Sequence, residues 1–362
     1  MVETARQGRG ARDETWFVTR KYPPRIGGME SLSWQLTTRL GERRPSRVLA
    51  LRRGSFWLPL FLVRSTLLLL VGAARGRIAL LHLGDPVLAP LGRLARLCGV
   101  PACVTVHGLD VTYAHPLYRL WLRVFFQDLD AYICISAAAR DAAIARGAPA
   151  ARTCVIGIGL APPAGTGETT AREVDLLLFV GRLVRRKGLG WFVKHVLPKL
   201  AARRPGIRLA IVGAGPERVA VERAAAEVGA SHRLIWLGAL PEVDKWTWYR
   251  RASLCIMPNV PVLHDIEGFG LAALEAAAAG CPLVAADLEG LRDAIEDGEA
   301  GVLVGAGDTD AWVSAVLRLL DSFEARRMLG ERARAWVRAH RGWEAVCDRY
   351  EALFASLEAG AV

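Results

Sequence analysis

Lysine is scarce in this chain: only five of its 47 basic residues are Lys, so a lysine inside a motif carries more information than an arginine does. The seven cysteines (Cys98, Cys103, Cys134, Cys154, Cys255, Cys281 and Cys347) are odd in number and widely scattered, with no CxxC or metal-type spacing. That pattern excludes a disulfide framework or a zinc ribbon and implies a reducing cytosol. Met1–Glu14 is polar and Arg-rich with no apolar core, so no signal peptide is expected. No internal repeat of solenoid length and no extended low-complexity tract is present. The longest apolar stretch, Ser55–Ala74, approaches membrane-spanning length but carries Pro59 near its start and Arg64 at its middle. An arginine at mid-bilayer costs about 2.5 to 3.5 kcal/mol on insertion scales, so a buried or surface-lying helix is expected in place of a span. Phe56, Trp57 and Phe61 beside Arg52, Arg53 and Arg64 also suit a helix lying at a lipid interface.

What is present is length and apolar content. With 362 residues, 52% of them hydrophobic, the chain is too long for one core, since cores stop growing near about 250 to 300 residues, and it is too apolar to be disordered. The net charge of +11 is unevenly spread. Residues 1–160 hold 22 Lys+Arg against 10 Asp+Glu, a surplus of 12, whereas residues 161–362 hold 25 against 26. The surplus implies either an anionic partner for the first half, such as an acidic membrane surface, or an arginine-rich coding bias.

Short β-branched and apolar runs alternate with helical patterns throughout, the mark of parallel sheets built from βαβ units. Strands are predicted at 16–19, 47–51, 78–83, 102–106 and 131–135, and then at 175–180, 208–212, 234–237, 254–257, 282–285 and 301–304. The Pro-, Gly- and Thr-rich segment Ala161–Arg172 reads as a linker between two Rossmann-like domains, 1–160 and 161–342. Trp343–Leu357 reads as an amphipathic helix with Trp343, Val346, Tyr350 and Leu353 on one face.

Open parallel sheets bind ligands beyond the carboxyl ends of their strands. After the strand ending at Val180 comes Gly181-Arg182-Leu183-Val184-Arg185-Arg186-Lys187-Gly188, four cations and two glycines in eight residues. This composition suits a diphosphate, because glycines admit it to backbone N–H groups and the cations neutralise its oxygens. A solvated basic loop is the alternative. Glu267-Gly268-Phe269-Gly270-Leu271 opens an Ala-rich helix that contains Glu275 and stops at Gly280 before Pro282. Free N–H groups at Gly270 and Leu271 suit a phosphate, and the Gly-Phe-Gly suits close approach of a ligand to the backbone. A cap and a surface charge would be the bland explanation of two such carboxylates.

Taken in order, these residues resemble the family 4 retaining glycosyltransferases of the GT-B fold, over nearly the whole chain. The resemblance rests on Pro23-Pro24-Arg25-Ile26-Gly27-Gly28-Met29-Glu30, Thr105-Val106-His107-Gly108-Leu109-Asp110, Ile133-Cys134-Ile135-Ser136, Val180-Gly181-Arg182 with Lys187-Gly188, Val212-Gly213-Ala214-Gly215-Pro216, and the pair Glu267 and Glu275. It implies an α/β protein whose two Rossmann-like domains face each other across a cleft, with 343–362 returning to the first domain and the hinge closing on the donor. The second domain would bind a nucleotide-diphosphate sugar in its UDP or GDP form. Arg182 and Lys187 would grip the diphosphate, with Gly28, Gly181 and Gly213 at the donor, and Glu275 would accept hydrogen bonds from the ribose diol. Glu267 and the backbone of Gly268, Phe269, Gly270 and Leu271 would contact the transferred sugar and phosphate. His107 would lie by the donor sugar. Gly27, Gly28, His107 and Asp110 would form the acceptor side, where a bulky residue at Gly28 should block closure. Catalysis would rest on His107, Glu267, Arg182 and Lys187, without metal or other cofactor.

The implied reaction is retaining transfer of a hexose or N-acetylhexosamine to a glycan or lipid-linked acceptor. The setting would be cytoplasmic, peripheral on the inner membrane face, in surface polysaccharide or glycolipid synthesis. A catalytically silent binding protein of the same fold is the competing reading, and a nucleic-acid partner is not expected, because no binding module is recognisable. Gly213-Ala214-Gly215 lacks the third glycine of a dinucleotide fingerprint, since position 218 is Arg218. Asp128-Leu129-Asp130 imitates a metal motif but falls at a helix-to-strand junction, and Ile156-Gly157-Ile158-Gly159 replaces the usual Pro-Asn-Gly turn.

Overall fold

A computed structural model describes residues 14–24, 27–52, 54–113, 115–160, 162–163, 172–263 and 265–360. Most of the expected linker Ala161–Arg172 lies outside the described residues, as do Arg25 and Ile26 of the first motif. The chain divides into two compact units, Met1–Ile156 with Val346–Val362, and Gly157–Ala345.

The first unit holds a six-stranded parallel sheet of β1 (Glu14–Thr19), β2 (Ser46–Ala50), β3 (Ile78–Leu83), β4 (Ala102–Val106), β5 (Ala131–Cys134) and β6 (Thr153–Val155), in the order β2-β1-β3-β4-β5-β6. The central strands β3, β4 and β5 are buried at every position and largely apolar, as strands covered on both faces must be, and the two polar side chains among them that hydrogen-bond to each other are His82 and Thr105. Sequence analysis did not anticipate β6, a three-residue edge strand too short to show a period. The strand order reverses between β1 and β3, so the crevice beyond their carboxyl ends is the natural ligand site of this unit.

The second unit repeats the scheme with β7 (Leu176–Val180), β8 (Arg208–Val212), β9 (Leu234–Gly238), β10 (Leu254–Met257), β11 (Leu283–Ala286) and β12 (Val302–Val304), in the order β12-β11-β10-β7-β8-β9. Here the reversal falls between β7 and β10. The helix Leu271–Ala278 is buried from Ala273 to Ala278, and its small side chains let its end pack closely on the helix Phe323–Arg341. A Cβ at Gly330 would lie 2.3 Å from the Gly280 carbonyl oxygen, so that contact requires glycine.

The helix Trp343–Glu358 carries its last turns onto the first unit. Tyr350 and Phe354 pack on His82, Phe354 also meets Phe17, and Arg43 pairs with Asp348 at 2.6 Å. Phe354 is the fully buried residue, whereas the predicted Leu353 is only half-buried: a step of four from Tyr350 stays on the apolar stripe and a step of three drifts to its edge. The stretch Ser55–Ala74 forms a 3-10 turn and the helix Leu58–Ala74, with Pro59 in the first turn, where its missing N–H costs nothing. Only Ser65, Leu69 and Gly72 of that helix are buried. Gly72 lies against Trp16 and Ile78, where a Cβ would come within 2.8 Å of both side chains.

Candidate active site

In the second unit, β7 delivers its glycine-rich loop to the crevice beside β10. Gly213 has φ +138, and a Cβ there would lie 1.9 Å from the Gly181 carbonyl oxygen, so the loops after β7 and β8 touch backbone to backbone. Arg185–Lys187 form a 3-10 turn closed by Gly188 at φ +65, and a Cβ on Gly188 would strike the Pro258 carbonyl. This turn sends Arg186 and Lys187 inward, at 6% and 7% exposure, while Arg182 stays exposed without an ion-pair partner among the described residues.

The inward cations meet Glu267. Lys187 Nζ lies 2.6 Å from Glu267 Oε2, Asn259 Nδ2 donates to the same oxygen at 3.0 Å, and Arg186 Nη1 reaches Asp265 at 2.8 Å with its Nε 3.7 Å from Glu267. Burial pushes the Glu267 carboxyl up, but Lys187 and Arg186 outweigh it and hold the group below the ordinary carboxylate range. Two buried polar atoms in this cluster, Asn259 Oδ1 and Arg186 Nε, have no hydrogen-bond partner. The cluster therefore keeps hydrogen-bonding capacity for a ligand.

Past Glu267, Gly270 takes φ +77 and the helix Leu271–Ala278 begins. Glu275 is 4% exposed on its inner face, with Lys245 Nζ 2.7 Å from Oε1 and Tyr249 Oη donating to Oε2 at 2.9 Å. Burial pushes the Glu275 carboxyl up against the opposing pull of Lys245. A carboxylate so held keeps lone pairs on both oxygens for further donors such as a vicinal diol. Of the predicted residues of this unit, the structure joins Lys187 to Glu267 and leaves Arg182 and Glu275 apart from that cluster. Sequence reasoning placed Arg186 in the cationic loop without giving it a separate role, and it missed Asn259, Asp265, Glu289, Lys245 and Tyr249. Asn259 follows β10 by two residues and so lay within reach of the strand-end rule, and Lys245 was one of only five lysines.

In the first unit, His107 follows β4 at the same end of the sheet. Its Nε2 lies 3.0 Å from the Gly84 carbonyl oxygen, and its backbone N–H donates to both oxygens of Asp110, at 3.0 and 2.9 Å. Burial raises the Asp110 carboxyl, and His107 opposes that rise. Across the β1/β3 crevice, Arg20 Nε meets the fully buried Asp85 at 2.8 Å, a pair the sequence reading also missed. Gly27 precedes the helix Gly28–Arg43 and lies over Glu30, whose Oε2 would be 2.3 Å from a Cβ at Gly27. Asp128 and Asp130 are engaged by Arg93 and Arg96, and Asp130 accepts the Ala102 N–H. At Gly159 an added Cβ would strike the ring of Trp343 at 2.6 Å, whereas at Gly157 it would meet the movable end of Arg341. No group of three His, Cys, Asp or Glu among the described residues is placed to hold a metal.

Two family descriptions account for most of the sequence. "Glycosyl transferase 4-like domain" matches residues 2–159, and "Glycosyl transferases group 1" matches residues 174–322. The chain belongs to the family 4 glycosyltransferases. This glycosyltransferase is 29% identical over 270 residues to the GDP-mannose-dependent alpha-(1-6)-phosphatidylinositol monomannoside mannosyltransferase of Mycolicibacterium smegmatis, covering 71% of this chain and 70% of that one. It is 36% identical over 185 residues to a D-inositol 3-phosphate glycosyltransferase of Frankia alni, covering 48% of this chain but 43% of that relative, so the likeness there spans under half of the other protein. Among solved structures it resembles sucrose-phosphate synthase of Thermosynechococcus elongatus (TM-score 0.74, 22% identity, 96% and 100% of the two chains). It also resembles Anabaena HepE in complex with UDP (TM-score 0.72, 16% identity, 95% and 100%). These likenesses establish the GT-B fold for the glycosyltransferase.

Proposed function

We propose that this enzyme transfers a hexose, with retention of anomeric configuration, from a nucleoside-diphosphate sugar to a lipid-linked acceptor at an anionic membrane surface. GDP-mannose is the first candidate donor, because the mannosyltransferase likeness extends over 71% of the chain. The observation that carries the reading is the Lys187–Glu267–Asn259 cluster with Arg186 beside it, at the crevice where β7 and β10 diverge. As the bond from anomeric carbon to phosphate oxygen breaks, negative charge grows on the departing diphosphate. Lys187, Arg186, the exposed Arg182 and the N–H groups at Gly270 and Leu271 meet that charge, and they stabilise the transition state more than the ground state. The acceptor oxygen bonds to the anomeric carbon on the face the phosphate leaves, and the acceptor proton passes to the departing phosphate oxygen. Glu267 is a donor contact in this account, and Glu275, braced by Lys245 and Tyr249, takes the ribose diol. For the first unit we propose an acceptor role for Gly27, Gly28, His107 and Asp110.

Support for the membrane comes from the helix Leu58–Ala74 and its lead-in. Phe56 is 89% exposed, Leu60 58% and Leu67 60%, and Arg52 and Arg64 nearby have no ion-pair partner among the described residues. The test is product analysis with GDP-mannose and phosphatidylinositol vesicles. Proton NMR of the glycolipid is expected to show the anomeric configuration of the donor, and an inverted product would sink the retaining reading.

A further inference from the structure

Glu289 has φ 47 and ψ −134, a conformation that essentially only glycine adopts without strain. It is one of two non-glycine residues with positive φ among the described residues. Its carboxyl is also held above its ordinary range: burial raises its pKa and the Glu267 and Asp265 carboxylates add like charge, against the opposing pull of the Glu267 N–H and Arg186. A position disfavoured by backbone, solvation and charge at once persists when something depends on the group placed there.

What depends on it is the peptide of Glu267. Glu289 Oε2 accepts the Glu267 N–H at 2.5 Å, and the N–H of the next residue, Gly290, donates to the Glu267 carbonyl at 3.2 Å. The approach is so close that a Cβ on Gly290 would fall 2.5 Å from the Gly268 carbonyl oxygen and 2.6 Å from that of Glu267. Two consecutive residues therefore grip both polar sides of one residue, while Lys187 and Asn259 hold its side chain. We infer that Glu289 is a positioning residue for the donor: it fixes the loop Glu267–Gly270 in the conformation that receives the sugar end of the nucleotide sugar. The inference rests on the proposed reading of that loop as the donor-sugar contact. Because Glu289 acts through the Glu267 peptide, it governs affinity for the sugar-bearing ligand and not for the bare nucleotide.

The experiment titrates wild type, Glu289→Gly, Glu289→Gln and Glu289→Asp with GDP-mannose and UDP-glucose, using GDP and UDP as sugar-free controls, and records the melting temperature of each without ligand. Glu289→Gly relieves the backbone and is expected to melt no lower than wild type. It should nonetheless bind its nucleotide sugar about tenfold more weakly, the scale of one charge-assisted hydrogen bond, with the bare nucleotide within about twofold. Glu289→Gln keeps a carbonyl acceptor in place and should restore sugar-ligand affinity to within about threefold, whereas Glu289→Asp is one methylene too short and should behave as the glycine variant does. Should the glycine variant not fold, the Gln and Asp pair carries the comparison. A glycine or aspartate variant that binds the nucleotide sugar like wild type, or a Gln variant as weak as Gly, overturns the inference alone. Failure of the wild type to bind any of the four ligands overturns the donor reading and the inference with it.

Discussion

Each of the five lysines makes an ion pair, and two of them hold the glutamates of the candidate donor site. Lys187 does so from a buried position, where removing Glu267 would leave its ammonium group without an ion-pair partner. Among the described residues the histidines divide between surface and core. His82 is buried among Phe17, Tyr350 and Phe354 with Nε2 2.9 Å from Thr105 Oγ1, and burial, helped by the nearby His107, lowers its pKa to about 3. The unfolded chain takes up this proton near its ordinary pKa of about 6.5, and the folded chain refuses it. Stability from this group is thus complete above about pH 6.5 and falls by roughly 1.4 kcal/mol per pH unit as the pH drops toward the folded value. His82→Gln, which has no titrating ring, is expected to flatten the fall of melting temperature between pH 6 and pH 4. Equal slopes in wild type and variant would assign the acid sensitivity to other groups.

At the scale of elements, the strands were readable because each lies in a sheet covered on both faces, where the requirement for apolar side chains is continuous. Four strands, 78–83, 102–106, 208–212 and 254–257, have the predicted bounds. Legibility failed at one edge strand, β6, whose three half-buried residues offer no pattern, whereas the edge strands β2, β9 and β12 were readable. The candidate site was legible where a motif sits at a strand end, as with Lys187 and Glu267. It was illegible where a partner comes from a distant turn, since nothing local in Leu288-Glu289-Gly290 announces that its backbone will close on Gly268. The apolar helix Leu58–Ala74 was read as an element, but its sequence could not tell burial from exposure, because its leucines surround it. Its exposed face makes a direct prediction. Leu60→Asp with Leu67→Asp replaces two outward side chains, so folding should be unchanged, while sedimentation with phosphatidylglycerol vesicles at low salt should fall at least several-fold. Binding to those vesicles that survives both substitutions would remove this helix from the membrane account.

The whole molecule separates its charges by unit. The first unit, residues 1–156 with 346–362, holds 23 Lys+Arg against 13 Asp+Glu, a surplus of 10, and the second, residues 157–345, holds 24 against 23 and is close to neutral, although it contains the cationic turn Arg185–Lys187. Long-range attraction to an anionic surface therefore belongs to the first unit, whereas the second concentrates a few cations locally and balances them with Asp265, Glu267 and Glu275. The two roles are separable: salt should weaken the surface attraction far more than the partly desolvated nucleotide contacts. The central claim is that the second unit binds the donor through residues 182–187 and Glu275. Its most direct test is thermal stabilisation by UDP, GDP and ADP and their hexose conjugates, in wild type, Arg182→Ala and Glu275→Ala. A ligand at about 100 times its dissociation constant adds roughly 2.7 kcal/mol to the folded state, enough for a clear melting shift. The account predicts stabilisation by the ligands of one base, reduced in both variants. Stabilisation by none of them, or stabilisation equal in wild type and both variants, would contradict it.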